Sequence, residues 1–171
     1  MLTLSLLRHA KSDWSAPGLD DFDRPLAARG REAAPRMAAF MAREGIRPRL
    51  ILCSAAVRTR QTLELVLPML GGEPEVSIEK GLYLAPASLM LARLGKVPAG
   101  IAHVMMVGHD PGMHELAVAL AGTGDAQSLK ALAAKFPTAA LAVIQLDAKA
   151  WSEIAPGKGR LVRFMTPRAL D

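Results

Sequence analysis

Residues 101–116 read IAHVMMVGHDPGMHEL, and the fold turns on this stretch. From Ile101 to Val107 the run is apolar on both faces. A strand with both faces covered belongs in a parallel sheet flanked by helices. Gly108 to Gly112 then break the run. Asp110 is suited to cap a helix and Pro111 to open one, so a helix is expected to about Ala121.

Working outward, the same alternation recurs. Leu2 to Leu7 reads as a short buried strand, followed by a loop rich in Asp, Gly and Pro through Pro25. Leu26 to Glu44 carries Ala34, Met37, Ala38 and Met41 at helical spacing, with Gly45 as its stop. Leu50 to Cys53 is a second strand, and Ser54 is placed to cap a helix to about Leu70, ended by Gly71 and Gly72. Glu75 to Glu79 is a third strand, and Pro86 opens a helix through about Leu94. A short helix is expected near Ser128 to Ala134. Ala139 to Leu146 and Gly159 to Phe164 read as two final strands, expected to be antiparallel. No repeat, linker or low-complexity tract interrupts the chain. The pattern predicts a single α/β domain over residues 1–171. Its sheet is mostly parallel, of about six strands, with helices on both faces.

The totals agree. With 171 residues, 51% apolar and 22% charged, the chain has material for one core. Aromatics are only 4%, so aliphatic residues and Met must build it. Cys53 is the only cysteine, which excludes an internal disulfide and fits a reducing cytoplasm. The N-terminal MLTLSLL lacks a positive leader and is cut short by Arg8, so it does not read as a signal peptide. No segment is long and apolar enough to span a bilayer. A cytoplasmic protein without membrane association is expected. The net charge of +5 favours anionic partners. The basic residues are spread along the chain and are not interleaved with aromatics, which argues against a nucleic-acid surface.

In open α/β sheets, sites form beyond the carboxyl ends of the strands. The first strand ends in Arg8 and His9. The second ends in Cys53 and Ser54, with Arg58 in the first turn of the helix beyond. The fourth ends in Gly108, His109 and Asp110. Two histidines and two arginines therefore emerge on one sheet edge. Arginine offers a fixed fork of donors that matches phosphate oxygens. Gly108 admits close backbone approach, and a helix N-terminus nearby favours anions. The set predicts a phosphate pocket containing imidazoles.

These stretches also carry a resemblance. RHAKSDW, from Arg8, resembles the RHG motif of the histidine phosphatase superfamily, and is most similar to the RHAKS-type motifs of its phosphohistidine phosphatase SixA group. DRPLAARGREAA (23–34), SAAVRTRQT (54–62) and VGHDPGMHEL (107–116) resemble further family segments in the same order. The resemblance implies a three-layer α/β/α fold of the phosphoglycerate mutase type and hydrolysis through a phosphohistidine intermediate. His9 would be the nucleophile, with Arg8, Arg58 and His109 holding the phosphoryl oxygens. A nucleophilic imidazole must be neutral, and its other ring nitrogen should be held in a fixed tautomer.

Departures from the family pattern bear on substrate. Ala10 stands where glycine is usual, and Ser15 where mutases carry a phosphate-binding asparagine. Ser12 offers a hydroxyl for substrate, or a loop cap instead. Larger relatives carry a glutamate general acid where this chain has Leu84, with Glu79 nearby. A leaving alkoxide needs a proton donor, whereas an imidazole leaves with a pKa near neutrality. The expectation is a phosphohistidine-bearing protein as partner, of the phosphorelay or phosphotransfer type. A small phosphomonoester substrate and a phosphohistidine-binding module without turnover are the alternatives. No cofactor, metal or oligomer is required. Cys53 does not fit a cysteine phosphatase, because Arg58 falls one residue too early. His109 and His114 lack the i, i+4 spacing of a helical metal site, so His114 reads as surface and His103 as structural.

Overall fold

The computed structural model describes residues 1–171. Seven strands alternate with five helices. They are β1 (Leu2–Arg8), α1 (Ala28–Arg43), β2 (Leu50–Ser54), α2 (Val57–Val66), β3 (Glu75–Glu79) and α3 (Ala87–Leu94). There follow β4 (His103–Gly108), α4 (Gly112–Leu120), β5 (Ala121–Gly124), α5 (Ala126–Ala134), β6 (Leu141–Leu146) and β7 (Gly159–Met165). The strands form one sheet in the order β3-β2-β4-β1-β6-β7-β5. Only β6 runs against the rest, pairing antiparallel with β1 and β7.

The sheet separates two apolar layers, and the strands alternate between them as the pleat requires. Leu2, Leu4 and Leu6 of β1 join Val104 and Met106 of β4 in a layer closed by α3, α4 and α5. Leu7, Met105 and Val107 point the other way, against Met37 and Met41 of α1 and Leu63 and Val66 of α2. The architecture is therefore three-layer α/β/α, as expected. No helix is long and apolar enough to cross a membrane.

Three expectations are corrected. A seventh strand exists: Ala121–Gly124 pairs in parallel with β7 at the sheet edge. Ser54 does not cap α2. It ends β2, and the helix starts after Ala56. Asp110 does not cap α4, which begins at Gly112 after a cis Asp110–Pro111 peptide.

What matters for function is how the strand ends align. Arg8 pairs with Gly108 and Cys53 with Val107, so β1, β4 and β2 finish side by side. The helix after β1 lies on one face and the helix after β4 on the other. Connections diverging in this way leave a crevice at the carboxyl edge. Two glycines draw the flanking segments inward. A Cβ on Gly30 of α1 would sit 2.2 Å from the Lys11 carbonyl oxygen, and one on Gly112 would sit 1.9 Å from that of Ala85. The helices thus press on the backbone of the loops that border the crevice.

Candidate active site

Arg8, His9, Arg58, His109 and Asp110 line a cavity of about 220 Å³ at this edge. Each comes from a different local constraint. Arg8 is the last residue of β1, and its Nη1 donates to the Phe136 carbonyl at 2.9 Å. His9 follows at once, its backbone N–H donating to the Gly108 carbonyl at 3.1 Å. Arg58 stands in the first turn of α2. His109 and Asp110 follow β4.

His9 is 6% exposed. Its Nδ1–H donates to the Ala10 carbonyl at 2.7 Å. A carbonyl only accepts, so the proton sits on Nδ1 and the Nε2 lone pair is free. The loop is held in turn by the Ala10 N–H, which donates to Thr62 Oγ1 at 3.0 Å, while that hydroxyl donates to the Arg58 carbonyl at 2.7 Å. Burial pushes the His9 pKa from 6.5 down to about 3. The Ala10 hydrogen bond opposes this, and His109, Arg58 and Arg8 add to it. The ring is neutral at pH 7.

The His109 ring lies 5.4 Å from that of His9, centroid to centroid. Its pKa is also near 3, through burial first and then the charge of Arg58. Ser54 Oγ stands 2.8 Å from its Nε2. The Ser54 hydroxyl already accepts from the Ala56 N–H at 3.3 Å, which leaves its own proton to give to Nε2, and in that tautomer Nδ1 carries the ring proton. Ser54, expected to cap a helix, instead orients this imidazole.

Arg58 is 3% exposed and is clamped by a residue that the sequence did not single out. Its Nη1 donates to the Asp21 carbonyl at 2.6 Å and its Nη2 to Asp21 Oδ2 at 2.9 Å. Tyr83 Oη also donates to Asp21, and Arg24 Nε donates to its Oδ1 at 3.0 Å. Burial raises the Asp21 pKa, but the hydrogen bonds from Tyr83, Arg58 and Arg24 outweigh it and hold the value near 2. Arg24 Nη1 reaches Ser12 Oγ at 2.8 Å. Ser12 lines the cavity, and its hydroxyl ties the buried Arg24 into the wall. Ser15 is exposed and bonds only through its backbone, to Asp13. Asp110 Oδ2 lies 3.5 Å from Arg8 Nη1. Burial raises its pKa, while Arg8 pulls it back.

Four buried side-chain polar atoms in the molecule have no hydrogen-bond partner: Arg8 Nε, Arg58 Nε, His109 Nδ1 and Asp110 Oδ1. All belong to residues lining this cavity. Three are donors beside the free Nε2 of His9, an arrangement that suits the oxygens of a tetrahedral anion.

The remaining candidates lie outside the cavity. Glu79 is bound by Arg93 through two hydrogen bonds of 2.8 Å and by Ser77. Cys53 is buried, and desolvation raises its thiol pKa to about 12, so it stays protonated. His103 bonds to Ser5 at 2.8 Å, and His114 Nε2 donates to the Leu132 carbonyl at 2.6 Å. Leu84 does line the cavity, 49% exposed, and holds a left-handed backbone with φ of 50°. Leucine seldom adopts that conformation, which costs on the order of 1–3 kcal/mol.

The profile of the Histidine phosphatase superfamily (branch 1) matches residues 4–83. A Mycobacterium tuberculosis protein of uncharacterised function is 33% identical, over 95% of this chain and all of its own length. A crystal structure from Agrobacterium tumefaciens, provisionally assigned as the phosphohistidine phosphatase SixA, is 34% identical. It covers 97% of this chain and 98% of its own, with a TM-score of 0.82. The chain belongs to the histidine phosphatase superfamily. Within it the chain falls in the SixA group, and its general activity is that of a phosphatase. A protein histidine phosphatase SixA complexed with tungstate, 24% identical and with a TM-score of 0.79, shares the fold over 99% of this chain and 100% of its own. The histidine phosphatase domain holds His9, His103 and His109 neutral, and this has a consequence for stability. His9 and His109 titrate near 3 and His103 near 4, against an ordinary 6.5. Between these values the unfolded chain binds more protons than the folded one, so stability rises with pH there. It is fully present above about pH 7 and is lost as pH falls from 6.5 toward 3. Thermal unfolding across this range should show a flat melting temperature above neutrality and a steady fall below it. A rise on acidification would contradict the assignment of three neutral imidazoles, two buried and one half-buried.

Proposed function

We propose that this chain removes the phosphoryl group from phosphohistidine on a protein partner, with His9 as nucleophile and Arg8, Arg58 and His109 as the phosphoryl clamp. The observation that supports this most is the convergence of the four unpartnered buried polar atoms on one cavity. A buried donor without a partner costs about 1–3 kcal/mol. A phosphoryl group brings oxygens to three of them at once, and most strongly as charge spreads over those oxygens in the transition state.

On this reading the reaction runs in two steps. His9 Nε2 attacks phosphorus, and an N–P bond forms as the substrate's P–N bond breaks. The leaving imidazole keeps the electron pair and takes up a proton from solvent, which the attacking water gives back in the second step. Water then attacks the phospho-His9 phosphorus. The N–P bond breaks, inorganic phosphate departs, and His9 recovers its lone pair. Overall, phosphohistidine and water give histidine and phosphate.

The substrate class rests on the proton supply. Leu84 stands at the rim without a proton to give, Glu79 is engaged by Arg93, and Asp110 is ion-paired to Arg8. An imidazole leaving group tolerates this far better than an alkoxide. The protein partner rests on the rim itself. Trp14, 71% exposed and stacked 3.3 Å from the Arg24 guanidinium carbon, and Leu84 present apolar surface around a small cavity.

The test is a substrate panel. A phosphohistidine-bearing protein should be hydrolysed about a hundredfold faster than phosphate monoesters, the low end of what a general acid contributes. Monoesters cleaved equally fast or faster would replace this reading with a small-molecule phosphomonoesterase. Binding without any turnover would favour a phosphohistidine-binding module.

A further inference from the structure

The small cavity opens sideways. It shares Lys11 and Thr138 with a larger surface groove of about 710 Å³. One wall of the groove is a face of α1, which contributes Arg29 and Arg36. The other wall comes from the segment before β6, with Lys135, and from the turn after β7, with Arg168. With Lys11, five exposed cations line one concavity, opposed by the carboxylates of Glu32 and Asp171.

Within this concavity most cations lack a carboxylate partner. Of the six ion pairs in the molecule, only Arg36–Asp171 involves a groove cation. Lys11, Arg29, Lys135 and Arg168 have none. Gathering like charges in a concavity raises the local potential and opposes folding, so the arrangement adds nothing to stability. It does attract an anion. The chain itself shows which kind: the Asp171 carboxylate is seated on Arg36. The groove contains no aromatic side chain on which a base would stack, which disfavours single-stranded nucleic acid.

We propose that this groove docks an acidic segment of the protein whose phosphohistidine enters the cavity. The inference rests on the phosphohistidine reading above and adds the partner's charge. Asp171 marks one carboxylate position along the track, and Lys11 marks the junction where the segment hands its phosphoryl group to His9. Complementary charge of this kind acts mainly on encounter and orientation.

Two synthetic phosphohistidine peptides test this, one flanked by glutamates and the other, of the same length, by glutamines. Phosphoramidate serves as the small P–N control. The glutamate peptide should show kcat/KM about tenfold higher at low salt, mainly through KM, as for a steered encounter. That advantage should vanish at about 0.5 M salt, where screening acts over about 4 Å. It should also vanish in the Arg29→Glu/Arg168→Glu variant, with turnover of the glutamine peptide and of phosphoramidate preserved. Equal kcat/KM for the two peptides, or a preference that survives the double reversal, overturns the docking groove and leaves the reaction intact. Failure of all three P–N substrates, with monoesters cleaved, overturns the phosphohistidine reading and the groove's role with it.

Discussion

The His9→Ala chain should lose turnover by on the order of 10⁵-fold and fail to take up a covalent phosphoryl group. Nucleophile removal in enzymes with a covalent intermediate costs about this much, and the residual rate comes from the remaining electrostatics. Here Arg8, Arg58 and His109 remain to bind the anion. The variant should therefore still bind inorganic phosphate while forming no phosphoenzyme. Rapid quenching of the wild type with labelled substrate should trap phosphate that is labile to acid and stable to alkali. Label of that type on His9→Ala would move the nucleophile elsewhere. The prediction is sharp because the geometry leaves His9 a single free ring nitrogen. Its Nδ1 is committed to Ala10, its ring is neutral, and only Nε2 is free.

Arg58→Ala should lower kcat by about 10³-fold, the upper range for loss of one preorganised donor in a dry site. Arg58→Lys should recover little of this. The guanidinium already places two N–H groups on Asp21 and keeps Nε unpartnered at the cavity, which a single ammonium cannot reproduce. Asp21→Ala should give a smaller loss, about tenfold, because it frees the Arg58 fork without removing the charge. Steady-state kinetics on the three variants should therefore rank Ala at position 58 lowest, then Lys, then Asp21→Ala. Full activity in Arg58→Lys would mean that position 58 supplies charge alone.

The sheet was readable because its central strands are apolar runs between turn signals, and such runs have few alternatives. β5 escaped notice because Ala-Gly-Thr-Gly has little strand propensity; it is a strand only because β7 offers it an edge. The site divided in the same way. Arg8, His9, Arg58 and His109 announce themselves at strand ends and in a helix's first turn. Asp21 and Tyr83 carry no periodic signal. They matter only because the loop after β1 folds back onto α2, a contact set by Arg58 rather than by local sequence. Ser54 and Asp110 were legible as helix caps, since short polar residues before helices usually are, yet tertiary partners claimed both. The groove was hidden for a related reason. Its cations are scattered from Lys11 to Arg168, which in sequence reads as dispersed surface charge.

The sheet order has a consequence for how the chain is made. β1 and β2 do not pair with each other; both pair with β4, which lies between them. Ser5 and His103, bonded across that junction, are 98 residues apart in the chain. During synthesis, the apolar β1 must wait through more than half the polypeptide before its parallel neighbour is translated. Contacts of such long range are slow to form and leave strand edges open in the meantime. Nascent chains that stop short of β4 will therefore hold β1 apart from the β2–β3 pair. The step that joins β1 and β2 through β4 is also the one that brings together the strand ends bearing Arg8, His9 and His109.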